Sequence, residues 1–395
     1  MKHAIKKIVA GVIALVLTAS LCGCSDNGYL MTVDGIDIRN GIYLSFQQTS
    51  ISYASSKYEE ENSSDSSSSN VDIFEQTIEG KTASEWIKDD TIKQVRRFVG
   101  IQRICEENDI TLTADEIAEV NKDVQESWDE SNVYVQYIYG YDTVGEYYES
   151  MGISIESLKE ISRVNKLSTK LFLHYYGKDG TIPVSEDEIN TYLKENYACV
   201  KLLTLNYKDY AGTELKEDKD KQVIKDKAKE YADRLNKGDS FIDVKYDFDL
   251  AAAQDAAKAS AEKSYKEDNE EKLSKEEYIK KAVDEAKAEK AESLDDIDRF
   301  LPKENSSLNE KVTEYIWNAK ADGKATVFEG DSAAYVIVRE DVTTKSKWKE
   351  NNNVAILNSI KGEDYESMME ITYQNYDIEL DEYLVNKQYS PEKQK

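Results

Sequence analysis

The chain is predicted to be a mostly helical α+β protein, and three observations carry that expectation. Only 3 prolines and 17 glycines occur in 395 residues, too few turn-formers for a many-stranded fold. Charged residues make up 33% of the chain, and Glu, Lys and Ala recur at helical spacing. Short apolar runs of strand length stand out in only a few places, chiefly 200–205 and 333–338. The length leaves room for two or three domains.

The first segment is a leader. Met1-Lys2-His3-Ala4-Ile5-Lys6-Lys7 is cationic, Ile8 to Ala19 is apolar, and Ser20-Leu21-Cys22-Gly23-Cys24-Ser25 follows. That pattern describes a secretory signal over residues 1–23, too short for a lasting membrane span. Leu21-Cys22-Gly23-Cys24 resembles the bacterial lipobox, although Cys22 stands where Ser, Ala or Thr is preferred. The resemblance implies that Cys24 is acylated and becomes the mature N-terminus, anchored to the outer face of a bacterial cell membrane. Cys22 is the poorer acceptor, because bulky Leu21 precedes it. An ordinary secreted protein with a coincidental cysteine is the alternative.

Removing the leader takes away three lysines and no acids, so the net charge goes from −27 to −30. Such a surface repels nucleic acid and anionic lipid, so no nucleic-acid partner is expected and acyl chains must hold the protein at the membrane.

Beyond a tether over 24–30, Met31 to Ile38 alternates about Asp34-Gly35 and predicts a hairpin. A helix is expected over 40–53, then a disordered acidic and Ser-rich loop over 59–70. Helices resume at Thr82. Thr113 with Glu116, and Ser185 with Glu188, have capping-box spacing and start further helices. Leu158, Ile161, Val164, Leu167, Leu171 and Tyr175 mark one face of a long helix. The tyrosines from Tyr134 to Tyr148 read as a mixed core and surface face, suited where exposed to low-specificity contacts with peptides.

Val200, Leu202, Leu203 and Leu205 predict a buried strand, followed by a helix over 221–236 closed by Lys237-Gly238. The stretch 251–293 is almost wholly Ala, Lys, Glu and Asp, and reads as exposed helix or partial disorder. A helix through Val312 and Ile316, ended by Gly323, leads to a hairpin over 326–338. A helix over 354–373 and an extended segment at 376–380 close the chain.

No cofactor is expected. There is no CxxC and no HExxH, and His174 is the single histidine after the leader. It sits beside a helix face and reads as a packed or partly exposed side chain. Cys105 and Cys199 lie in apolar stretches; buried thiols are preferred over a disulfide between them.

The order of these segments resembles the extracytoplasmic foldases of the PrsA and SurA type. The likeness rests on Val33-Asp34-Gly35-Ile36, Asn108 to Ile117, Tyr148 to Lys159, Val184 to Tyr197, Lys237-Gly238-Asp239-Ser240-Phe241, and Asp322 through Val338. It implies a helical chaperone domain over 31–195 and 345–385, built around a parvulin-like α+β domain over 196–344 that carries the charged insert 251–293. Active parvulins place one histidine on the first strand and another on the closing strand of a proline pocket. The matching positions are Lys201 and Tyr335, with Phe241 nearby, and residues 175–395 contain no histidine. The resemblance therefore implies a chaperone for unfolded exported polypeptides, with a degenerate isomerase pocket at Lys201, Phe241 and Tyr335. An active prolyl cis-trans isomerase with a divergent pocket is one alternative. A solute-binding or adhesion lipoprotein is another, though the βα alternation and Gly-rich turns of solute binders are missing. The oligomeric state is left open.

Overall fold

The computed structural model describes residues 28–62, 71–267, 272–304 and 308–394. The predicted leader, Cys24, the start of the predicted tether and residues 63–70 of the predicted Ser-rich loop lie outside the described residues. The fold is mostly helical α+β, in two compact units: Met1–Val184 with Leu357–Lys395, and Ser185–Ile356. Among the described residues, no helix is long and apolar enough to cross a membrane.

The first unit begins with the expected hairpin, β1 (Tyr29–Val33) and β2 (Ile36–Arg39). Asp34 and Gly35 take φ of 48° and 77°, which matches a tight two-residue turn to the strand twist. Helix α1 (Asn40–Glu61) runs further than predicted: Glu59–Glu61 are helical, so the Ser-rich loop does not start at 59. A two-rung hairpin, β3 (Thr77–Ile78) and β4 (Lys81–Thr82), leads into α2 (Ala83–Glu107), where Thr82 and Glu85 form a capping box. Helices α3 (Ala114–Trp128), α4 (Val133–Tyr139), α5 (Val144–Ser150) and α6 (Ile155–Tyr176) complete the N-terminal part.

The C-terminal segment of this unit is interlocked with those elements. Strand β9 (Ile378–Leu380) pairs antiparallel with β1, giving the order β2-β1-β9. The last part of α13 (Asn353–Tyr373), which follows the short α12 (Ser346–Asn351), packs on α2 and α6, where Arg97 grips Glu366 through two bonds of 3.0 and 2.6 Å. A Cβ at Gly100 would lie 2.9 Å from the Tyr373 Cβ, so only glycine lets the two helices come this close. Tyr365 meets Phe172 edge to face at 5.3 Å.

The second unit is built on a four-stranded antiparallel sheet in the order β6-β5-β8-β7. After α7 (Glu186–Asn196), capped by Ser185 and Glu188 as predicted, the long strand β5 (Tyr197–Asn206) follows directly. It pairs with β8 (Ala333–Glu340) over eight positions, from Cys199 opposite Glu340 to Asn206 opposite Ala333. Strand β7 (Ala325–Glu329) flanks β8, and β6 (Arg299–Pro302) flanks β5. Both faces of the sheet are covered, which is why β5 reads as a continuous apolar run without alternation. Leu203, Leu205, Val336 and Val338 share a core with Ala228, Tyr231, Phe241 and Val244, from α8 (Asp218–Asn236) and α9 (Phe241–Ser264). On the other face, Val200, Leu202, Tyr335 and Ile337 pack against Val312 and Ile316 of α11 (Glu310–Asn318).

The charged stretch from 251 is exposed helix, one of the two readings expected: it holds the rest of α9 and a separate α10 (Lys275–Asp284), with no residue of α10 buried. Two local expectations need correction. Strand β6 is absent from the sequence reading. Helix α11 ends at Asn318 rather than at Gly323; Gly323, at φ 74°, instead shapes the turn into β7, its N–H donating to the Arg339 carbonyl. The carbonyls at the end of α11 are satisfied by Arg339, whose guanidinium donates to those of Ile316, Trp317 and Ala319.

Candidate functional site

The three residues assigned to a degenerate pocket do not line one space. Strand alternation puts Lys201 on the same sheet face as Leu203, where Phe241 is part of the filled core. Tyr335 points to the opposite face, among Val312, Ile316 and Ile337. All three are buried: Lys201 is 2% exposed, Phe241 6% and Tyr335 9%. The pocket assignment fails because β5 and β8 are in antiparallel register with Tyr335 opposite Thr204, so its side chain lies on the face away from Lys201.

Lys201 is instead the centre of a buried ionic group. Its Nζ lies 3.0 Å from Asp298, just before β6, and 2.5 Å from Glu340 at the end of β8. Lys345, which follows β8, reaches the other oxygen of Asp298 at 2.7 Å and also pairs with Glu340. Two ammonium groups and two carboxylates thus sum to zero charge, and the Asp298 side chain is only 1% exposed. Burial acts to raise the pKa of Glu340, but hydrogen bonds from Lys201 and Lys345 outweigh it and hold the carboxyl below its ordinary range. For Lys345 burial acts in the opposite sense, yet its bonds to Asp298 and Glu340 raise it above the usual lysine range. Cys199 borders the group; burial first, then the Asp298 charge, pushes its thiol up to about 12. A thiol so placed is neutral and a poor nucleophile. The ligand atoms of Cys199, Asp298 and Glu340 lie within 4.8 Å of one another, a spacing open to a metal ion. Both carboxylates are already bridged by two ammonium groups, so a cation would have to displace buried positive charge. The arrangement suits structural charge balance.

Cys105 and Cys199 are both free and buried, in agreement with the sequence reading. His174 is half-buried in the last turn of α6, its ring 5.4 Å from Tyr175.

The surface feature of greatest consequence lies in the first unit, at the tyrosine cluster. Helix α4 is a closed excursion: Ser131 and Thr143 form a bridge at its base, and the Val144 N–H donates to the Glu130 carbonyl at 3.2 Å. Asn132 caps its start, accepting from the Tyr134 and Val135 N–H groups, and Gly140 closes it at φ 78°. Val135 is fully buried, while Tyr139 leans on Tyr147 with ring centres 4.6 Å apart. Tyr147 and Tyr148 of α5 are buried beneath, and Trp128 stacks on Tyr148 at 6.3 Å and 13°. Burial pushes the Tyr148 hydroxyl up to about 12, so the platform is uncharged. A Cβ on Gly145 would lie 2.3 Å from the Trp128 ring, so glycine makes room for this stack. Above that platform the outward face of α4 is apolar: Val133 is 82% exposed, Tyr137 86%, Tyr134 48% and Ile138 45%. The predicted division of the tyrosines into core and surface is what the structure shows.

A separate cavity of about 320 Å³ lies between α2, α3 and α6, lined by Cys105, Ile110, Leu112, Ile117, Val164 and Leu167. Arg163, Glu106 and Glu160 also border it.

No family model matches the chain. No curated protein matches it either. Among solved structures it is similar to the foldase protein PrsA from Streptococcus pneumoniae str. Canada MDR_19A. The identity is 15%, the TM-score is 0.29, and the match covers 78% of this chain and 93% of that one.

Proposed function

We propose that the protein is a membrane-anchored extracytoplasmic chaperone that holds unfolded exported polypeptides, and that the outward face of α4 is one of its contact surfaces. The observation that carries this reading is the exposure of four large apolar side chains on one rigidly supported helix, Val133, Tyr134, Tyr137 and Ile138. Contiguous exposed apolar surface marks interaction sites, and burying each such side chain against a partner is worth about 1.5–3 kcal/mol. Aromatic rings with a polar edge suit contacts that must accept many sequences. The high negative charge supports the same reading, since it keeps such a surface soluble. Anchoring at Cys24 would hold the chain where exported polypeptides emerge.

In this proposal the second unit acts without prolyl-isomerase turnover. That part is supported by the burial of Lys201, Phe241 and Tyr335 in cores on two sides of a sheet.

The test is aggregation of a chemically unfolded exported protein, followed by light scattering, with the mature chain at stoichiometric ratio. Suppression is expected, and Val133→Ser with Tyr137→Ser should weaken it severalfold at unchanged thermal stability. No suppression by the wild type would sink the chaperone reading, and equal suppression by the variant would remove α4 from it. Cys24→Ser should abolish fatty-acid incorporation and release the protein from the membrane fraction. A protease-coupled proline-peptide assay should give no rate above background.

A further inference from the structure

We infer that the α4 face selects basic apolar segments, those in which Lys or Arg flank apolar side chains; this rests on the chaperone reading above and narrows its substrate class. From Asp123 to Leu158 the chain carries eight acidic residues and no Lys or Arg. Two of the eight are paired, Glu126 with Lys122 at 3.5 Å and Glu156 with Lys159 at 2.9 Å. Asp123, Asp129, Glu130, Asp142, Glu146 and Glu149 have no ion pair among the described residues. The cations of α6 that face α3 are engaged elsewhere: Lys166 with Glu119, Lys170 with Glu116, and Arg163 with Asn121.

The aromatic face therefore sits in an uncompensated negative field. Glu130 and Asp142 flank the Ser131–Thr143 bridge at the base of α4, three residues before Val133 and five after Tyr137 in the chain. An apolar segment docked on Val133 and Tyr137 would bring its flanking residues into the field of these carboxylates. Lysine or arginine there gains Coulomb attraction and can stack on the exposed tyrosines. Glutamate there meets repulsion. The same field disfavours nucleic acid, an anionic membrane and a second copy of this acidic chain.

The mature chain carrying Cys24→Ser would be titrated by fluorescence anisotropy against three labelled unstructured peptides with one apolar core, flanked by Lys, Ser or Glu. At low ionic strength the Lys-flanked peptide should bind roughly tenfold more tightly than the Glu-flanked one, and added salt should close the gap. Asp123→Asn, Glu130→Gln and Glu149→Gln together should shrink the gap severalfold and leave the Ser-flanked affinity unchanged. Equal binding of Lys- and Glu-flanked peptides, or a gap the triple variant does not alter, overturns the inference while Ser-flanked binding keeps the chaperone reading intact. Failure of all three peptides together with failure to suppress aggregation would bring down both. A dimer in sedimentation that dissociates on Tyr137→Ser would assign the face to a second copy and also overturn the inference.

Discussion

Replacing Lys201 by methionine should be among the most damaging single changes in the second unit. The side chain is 2% exposed and its ammonium neutralises Asp298, 1% exposed, and Glu340, 27% exposed. Methionine fills most of the volume but leaves two carboxylates to share Lys345, a net charge of −1 in a site nearly closed to water. Breaking a buried ion pair by removing one partner costs about 3–5 kcal/mol. The lower end applies, because Lys345 stays and Glu340 keeps some solvent, so about 3 kcal/mol is expected. The unit spans residues 185–356, and a domain of that size shifts by about 2–4 °C per kcal/mol, so its Tm should fall by about 6–12 °C. Urea unfolding followed by circular dichroism at pH 7 gives the direct measure. Adding Glu340→Gln should restore at least half of the loss, because Lys345 and Asp298 then balance. The folded pKa of Glu340 is depressed, so its contribution is present above the unfolded value of about 4.3 and is lost as pH falls through the lower folded value. The deficit of Lys201→Met should therefore narrow in acid, where a carboxyl can take up a proton. A loss below about 1 kcal/mol, or a double variant less stable than the single one, would refute the account of this group as a balanced charge cluster.

Gly145→Ala should destabilise the first unit by about 1–3 kcal/mol, because its Cβ would strike the Trp128 ring; tryptophan fluorescence would report the displaced stack, and an unchanged spectrum would count against the packing. In a form starting at Ser25, which retains only Cys105 and Cys199, a thiol reagent at pH 8 should label neither in the native state and both in urea. Burial pushes the two thiols up to about 11 and about 12, so rapid native labelling of either would contradict the structure. Glu116 is held at about 2, first by the Lys170 hydrogen bond and then by the Thr113 N–H. Carboxyl NMR of Lys170→Met should show its titration moving up toward the ordinary value. Being depressed, Glu116 supports the α3 start above about pH 4.3 and loses that role as pH falls toward 2; a wild-type midpoint near 4 would refute it.

The features legible in the sequence are those decided by neighbours a few residues apart. Thr113 with Glu116 and Ser185 with Glu188 form capping boxes in the structure because the motif is closed by its own side chains. The Asp34-Gly35 turn is equally local. Strand β6 was missed because it has only Phe300 and Leu301 as apolar residues and exists by pairing with β5, a hundred residues earlier. The ionic group has the same origin. Asp298, Glu340 and Lys345 are ordinary charges in a chain that is one-third charged, and only sheet register brings them to Lys201. The one local signal was Lys201 itself, a lone charge within an apolar strand. It marked a special position, but residue type alone does not tell a pocket from a satisfied core cation. The aromatic face was visible as a tyrosine cluster; which members point outward depends on α4 being lifted on Tyr139 and Tyr147.

The two units handle charge in opposite ways, and the contrast bears on how such a surface stays usable. In the second unit the buried charges of Lys201 and Asp298 are paired, and Lys201, Lys345, Asp298 and Glu340 cancel among themselves. Such a centre helps define the sheet arrangement and exerts little field outside. Around α4 the carboxylates stay in water and unpaired, where they cost little desolvation and project a field. An exposed apolar helix without that field would be a self-association site. With it, on the inference drawn above, two copies would repel before their tyrosines met, while an unfolded segment carrying positive charge would be drawn in. Solubility and selectivity would then come from the same six side chains, and neutralising them should degrade both together.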